Sequence, residues 1–441
     1  MRSHEEDVAE VIIEAILRAL WAFRLELTLV GVLGGLGFAG FQHLGEHGAW
    51  LAPAGVVALV LAVPPLRRMV GRRLRHARVR RQWVRAVRSA RIASLEHRIP
   101  GARRMRDIPA GERFEVRIPR GSSVPELEKA AEVIAAALCV RDLRVRRHPD
   151  NASRAEIVIV RRDPLAVGPA LPWPNAAAPR ASLWSPIPVG VGDDGEVVEV
   201  ALPERNLLLG GEPGAGKSVA LSLLVATAAL DPDCKLWLLD GKLVELAIWS
   251  RCAEGTAGVA VSEAIEVLRV LQQEMDDRYA RLLGAGKRKV TQDDGLPLHV
   301  VVIDELAHYL TTSDRKERVE FADLLRDLVS RGRAAGIIVL AATQKPSADV
   351  VPTSIRDLFG FRWAMRCSTP QASDTILGSG WASAGYSATD VDPASRGVGY
   401  LLHEGGIPQR LRSYYLDDPT LASIAARAAT LRGLRTDSSE R

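Results

Sequence analysis

The stretch 206–218, NLLLGGEPGAGKS, constrains this chain more than any other. An apolar run that must be buried is followed by G-x-x-x-x-G-K-S, with Gly211, Gly216, Lys217 and Ser218 at its fixed places, and then by the apolar VALSLLVATAAL. Strand, glycine loop and helix in that order predict a P-loop, the alternative being a glycine-rich turn that merely precedes Lys-Ser. In a P-loop the backbone N–H groups turn inward on phosphates, and the helix N-terminus adds the positive end of its dipole. Gly211, Glu212, Pro213, Gly214, Ala215, Gly216, Lys217, Ser218 and Val219 are therefore the expected nucleotide-binding residues. Lys217 is expected to neutralise the β- and γ-phosphates of ATP and the Ser218 hydroxyl to ligate Mg²⁺.

A second apolar run, 298–303, ends in Asp304-Glu305. Downstream of a P-loop this pair reads as a Walker B arrangement, in which Asp304 supports Mg²⁺ through water and Glu305 polarises the attacking water. The runs KLWLLD, VVVID and IIVLAAT alternate with helical patterns over 261–283 and 318–334. Such alternation predicts an α/β fold with a parallel sheet covered by helices on both faces. Ligands bind at the C-terminal ends of such strands, so Gly211, Asp240, Asp304 and Thr343-Gln344 are expected along one rim.

With 441 residues the chain has room for more than this unit. Two apolar stretches, 27–44 and 49–66, are each barely long enough to span a bilayer, and the turn 42–48 between them is too short to hold a domain. They predict a transmembrane helical hairpin over 27–66, after a cytoplasmic segment 1–26 whose acidic HEEDVAE argues against a signal peptide. A buried pair of helices in a soluble fold is the competing reading. Gly31 and Gly35 form a small-xxx-small pair suited to close helix approach.

Arg67, Arg68, Arg72, Arg73, Arg75, Arg78, Arg80, Arg81, Arg85, Arg88 and Arg91 then follow without an intervening acid. Cations beside a span are retained in the cytoplasm, which puts the rest of the chain there, at the cell membrane. The same run would also attract lipid headgroups or DNA phosphates. The net charge is only +5, from 58 Lys+Arg against 53 Asp+Glu, so local charge carries the argument.

A basic juxtamembrane helix is expected over 67–110 and a small α+β domain over 111–163, reading strand, helix, strand, strand. It shows no catalytic constellation, and an assembly or spacing role is expected of it. Seven prolines over 164–189 predict a linker. The P-loop unit occupies 190–416 and a tail 417–441, with one short helix, completes the chain. Cys139, Cys234, Cys252 and Cys367 lack metal-site spacing. The loop cations Lys287, Arg288 and Lys289 read as a solvated charge run.

GGEPGAGKSVAL, LLDGKLVEL, EMDDRYARL, VVVIDELA and GRAAGIIVLAATQKPS, taken in order and spacing over about 188–415, resemble the FtsK/SpoIIIE family of double-stranded DNA translocases. The membrane-anchored layout with one P-loop unit looks most like the conjugal transfer proteins of mycelial actinobacteria. The resemblance implies a RecA-like domain assembled as a homo-hexamer around double-stranded DNA, with ATP between neighbouring subunits. It implies that Arg333 supplies an arginine finger to the adjacent subunit and that Gln344 senses the γ-phosphate. Gly241 stands where the family has proline, which frees the backbone there. No DNA-reading winged helix is expected after Tyr415, so sequence is ignored or read by a separate DNA-binding partner. Related ATPases that drive protein secretion, and a non-hydrolysing membrane tether for DNA, are the alternatives.

Overall fold

The computed structural model describes residues 23–90, 92, 99–166, 168–347 and 349–433. Two compact units divide the chain, Met1–Asp163 and Pro164–Arg441. The expectations for HEEDVAE, for Arg91 and for 434–441 lie outside the described residues.

In the first unit a helical stretch, Arg24–Ala62, leaves helical geometry at Gly45, with φ 65° and ψ −154°. Its arms, Arg24–His43 and Gly45–Ala62, are each long and apolar enough to cross a membrane. They approach closely at Gly37, where a Cβ would sit 2.9 Å from the Ala49 carbonyl oxygen. Gly31 and Gly35 have open space around them instead, so the small-residue pair read from sequence does not join the arms. The second arm stops at Ala62 rather than at residue 66. Val63 is extended, and Pro64-Pro65 open a new helix, Pro64–Ser89, in the first turn where a missing N–H costs nothing.

That helix is arginine-rich, but Val79, Trp83, Ala86 and Val87 bury one face of it in the small domain's core. Trp83 meets Phe114 edge-on at 5.1 Å. The helix does not run to 110. Gly101–Ile108 is strand β1, which pairs antiparallel with β2, Gly111–Arg117. Its arginines fall on both sides of the alternation, which hides a strand from a pattern search. Strands β3, Asp142–Arg147, and β4, Arg154–Val160, complete a sheet of order β1-β2-β4-β3. Helices Val124–Lys129 and Ala131–Leu138 cover one face, divided at Ala130 where a single helix was expected. The small domain therefore begins at β1, not at residue 111.

The second unit is built on a ten-stranded sheet. Its strands are β5 Ile187–Gly192, β6 Val197–Val200, β7 Leu207–Gly210, β8 Cys234–Leu239, β9 Ala253–Ala257, β10 Leu298–Ile303, β11 Ile337–Thr343, β12 Phe361–Met365, β13 Val398–His403 and β14 Gln409–Ser413. The order is β6-β5-β14-β13-β12-β7-β11-β10-β8-β9, parallel from β12 to β9 and antiparallel from β6 to β12. The central strands are buried along their whole length because both faces are covered. Helices Lys217–Leu230 and Asp418–Leu431 share one core, and Val261–Gly284 and Arg315–Arg331 share the other.

The proline-rich segment is part of this unit and not a free linker. Trp173 and Leu183 are buried in its core, Trp173 Nε1 donates to the Pro188 carbonyl at 2.9 Å, and the Leu183 N–H donates to Asp231 Oδ2 at 2.7 Å. Prolines exclude helix and central strand, but they do not prevent neighbouring apolar side chains from packing.

Candidate nucleotide site

Sheet order makes the site. Strand β11 lies between β7 and β10, so Thr343 and Gln344 fall between the P-loop and Asp304-Glu305. The P-loop runs from the end of β7 to the buried Lys217, the first residue of the following helix. Gly216 has φ 103°, a left-handed conformation that side chains rarely adopt, and a Cβ there would meet the Gly397 backbone at 2.8 Å. The Gly397 N–H donates to the Ala215 carbonyl at 2.9 Å. Arg366 pairs with Glu212 at 2.9 Å and so ties the loop to the end of β12.

Glu305 is buried and held from three sides. Its carboxylate accepts from Thr343 Oγ1 at 3.0 Å and from the Gln344 N–H at 3.1 Å, and Lys242 Nζ lies 3.3 Å from Oε2. Asp304 Oδ1 accepts the Gly241 N–H at 2.9 Å. Gly241 is therefore not merely a looser link, since a proline at this position would have no N–H to donate. Asp240 folds the same loop, accepting from the Lys242 and Leu246 N–H groups at 3.2 and 2.9 Å.

Asp304 Oδ2 is buried without a hydrogen-bond partner among the described residues. Burial, then the Asp240 carboxylate, push the Asp304 carboxyl up to about 6. Burial, then the Lys242 ammonium, push the Lys217 ammonium below its usual value. Lys217, Ser218, Lys242, Glu245 and Asp304 share one small pocket. A partnerless carboxylate oxygen beside a hydroxyl suits a hydrated divalent cation, and an ammonium weakened by burial suits a polyphosphate. The residues present fit Mg²⁺ and a nucleoside triphosphate.

The larger cavity in front of the loop, about 680 Å³, is lined by Glu212, Pro213, Gly214, Gly216, Lys217, Ser218, Val219 and Gln344, whereas Gly211 and Ala215 of the expected set do not line it. It is also lined by Gly168, Leu171, Arg396, Gly397, Tyr414 and Tyr415, which sequence reasoning missed. The Tyr415 N–H donates to the Leu171 carbonyl at 2.7 Å, so the proline-rich segment forms a wall of the site. No local pattern announces those residues; the wall exists only after β14 joins the sheet.

Arg333 does not join the site of its own chain. It precedes β11, at the opposite end of the strand from Gln344, with Nε donating to the Glu204 carbonyl at 2.6 Å and Nη2 bound to Glu404 at 3.1 Å. Lys287 and Lys289 pair with Asp294 and Glu204, in keeping with a solvated run.

Residues 176–297 match the family model described as FtsK/SpoIIIE family. The chain is 28% identical over 290 residues to the DNA translocase FtsK of Lactococcus lactis subsp. cremoris, covering 61% of this chain and 38% of that protein. It is 28% identical over 341 residues to the DNA translocase FtsK of Halalkalibacterium halodurans, covering 72% of this chain and 41% of that protein. It thus spans about two-fifths of the length of these curated relatives. Among solved structures, the monomer form of the pCW3 conjugation coupling protein TcpA with ATPγS superposes with a TM-score of 0.54 at 19% identity, covering 80% of this chain and 99% of that one. The motif order and the sheet order agree with the family match, so residues 176–297 of the P-loop unit are an FtsK/SpoIIIE family segment.

Proposed function

We propose that this chain hydrolyses ATP to move double-stranded DNA at the cytoplasmic membrane, in conjugative transfer of a plasmid or an integrative element. The observation that carries the proposal is the convergence of Lys217, Ser218, Asp304, Glu305 and Gln344 on one rim of the domain. The inward-turned loop and Lys217 hold the phosphates. Glu305, fixed by Thr343 and Gln344, orients and accepts a proton from the attacking water. Ser218 and Asp304 would hold Mg²⁺, which would supply positive charge to neutralise the phosphates. Gln344 touches both Glu305 and the cavity, which supports a role in registering loss of the γ-phosphate.

Arg333 lies a strand's length, about 20 Å, from this rim. Its role as an arginine finger therefore requires a second copy. Leu243 and Val244 lie beside Lys242 in the loop after β8 and are 60% and 76% exposed, an apolar edge that a neighbouring subunit in a hexameric ring would cover. The two apolar arms and the arginine-rich helix support a membrane anchor with the P-loop unit in the cytoplasm.

The purified full chain in detergent is expected to hydrolyse ATP faster with duplex DNA than without, and Lys217→Ala to abolish hydrolysis. Hydrolysis indifferent to duplex DNA would overturn the proposal. Mixing inactive Lys217→Ala and Arg333→Ala chains is expected to restore activity, because the first supplies the finger and the second the P-loop.

A further inference from the structure

Away from its helices, the sheet of the small domain buries Val158 and Val160 beside Ile108 and Ala110 at one end and leaves the end with Arg117 and Arg154 exposed. Phe114, Val116, Ile157 and Ile159 turn toward the helices, so the alternation turns Arg113, Arg117 and Arg154 to the opposite side. The register brings like charges directly opposite one another twice, Arg106 against Arg113 and Arg117 against Arg154. Cross-strand pairs of like charge destabilise a sheet; Glu156 offsets the first pair through Arg113, whereas an anion from outside would offset the second.

The carboxylates nearby are already committed: Glu115 to Arg104 at 3.3 Å, Glu156 to Arg113 at 3.8 Å and Asp142 to Arg144 at 3.0 Å. Among the described residues, no carboxylate pairs with Arg103, Arg106, Arg117, Arg120 or Arg154. Arg103, Arg117 and Arg120 converge with Ser122 and Ser153 on an open groove of about 920 Å³. Three guanidinium forks and two hydroxyls are the donor set that recognises phosphate oxygens.

We infer that this groove and sheet face grip the phosphodiester backbone of duplex DNA. The apolar lining of the groove, Ile99, Ile118, Pro119 and Ala152, includes no aromatic side chain among the described residues, and Ile118 is buried, whereas surfaces that settle on a bilayer carry exposed aromatic anchors beside their cations. The inference shares its cargo with the proposed function, and in that sense rests on it, but it uses none of the P-loop residues.

The test is duplex binding by the full chain in zwitterionic nanodiscs without nucleotide, followed by fluorescence anisotropy across a salt series. Arg103→Gln/Arg117→Gln/Arg120→Gln is expected to weaken binding about tenfold and to flatten the slope of log affinity against log salt by about three, one for each phosphate that is no longer neutralised. Hydrolysis of ATP without DNA, unchanged in the triple variant, verifies the fold. Affinity and slope equal to those of the parent chain would overturn the inference. So would a triple variant that keeps DNA but loses binding to anionic phosphatidylglycerol vesicles, which would make the face a lipid-binding one. A parent chain that grips DNA through this groove yet never hydrolyses ATP would sink the motor reading and leave this one standing.

Discussion

The two sheets of this chain carry charge in opposite ways. In the P-loop unit both sheet faces are covered, and the ionisable groups of the site, Asp240, Asp304 and Glu305, sit buried at strand ends. In the small domain one end of a sheet face is open, and arginines stand on the strands there, with Arg117 opposite Arg154. The first arrangement gathers buried carboxylates that a cation would stabilise. The second gathers exposed guanidiniums that an anion would stabilise. Burial makes the first energetically strong and geometrically strict, and solvent makes the second weak singly and effective only in number.

The largest test of this contrast is Glu305→Gln. Loss of the proton acceptor is expected to slow hydrolysis 10²–10⁴-fold, roughly the range for a general base, while nucleotide binding measured by calorimetry persists. Equal loss of both would mean that Glu305 serves the fold and not the chemistry.

Next comes Asp304→Asn. Between the ordinary value of 3.8 and the folded value of about 6, the native chain holds a proton that the unfolded chain has lost. Stability from this group is therefore present below 3.8 and falls as pH rises through about 6. Removing the buried charge is expected to raise stability of the nucleotide-free chain by about 3 kcal/mol at neutral pH, as two pKa units imply. The gain should vanish toward pH 4 in denaturant titrations. A gain independent of pH would show that charge burial is not its cause.

Gly216→Ala places a Cβ against Gly397 at a backbone angle suited to glycine. It is expected to cost about 1–3 kcal/mol and to weaken nucleotide binding more than the corresponding change at the open Gly286. Arg154→Gln is the smallest effect and has the opposite sign. Relief of repulsion with Arg117 is expected to stabilise the chain by about 0.2–1 kcal/mol, read as a rise in Tm that shrinks in high salt. A fall in Tm would mean that the like-charge pair is not a cost to the sheet.

Much of the P-loop unit was legible because its signals are local. Lys217 and Ser218 are set by their spacing from Gly211, and the apolar run 298–303 can only be a buried strand before Asp304-Glu305. The small domain was less legible. Strand β1 carries three arginines in eight residues and lacks clean alternation, and Ala130 interrupts what reads as one helix. The proline-rich segment misled most, since turn residues predict loops but say nothing of whether a loop packs. Trp173 and Leu183 decide that it does, and their partners lie on distant elements.

By itself the sequence determined the chemistry that the chain can present: a phosphate loop, a carboxylate pair, an apolar hairpin and an excess of arginine after it. Only the tertiary structure decided which groups meet. It brought Gly241 to Asp304 and Lys242 to Glu305, walled the cavity with Leu171 and Tyr415, and sent Arg333 to the far end of β11. The reason is physical. Motif residues are neighbours along the chain and obey local sterics, whereas these meetings depend on strand order, which is fixed by burial of the whole sheet at once.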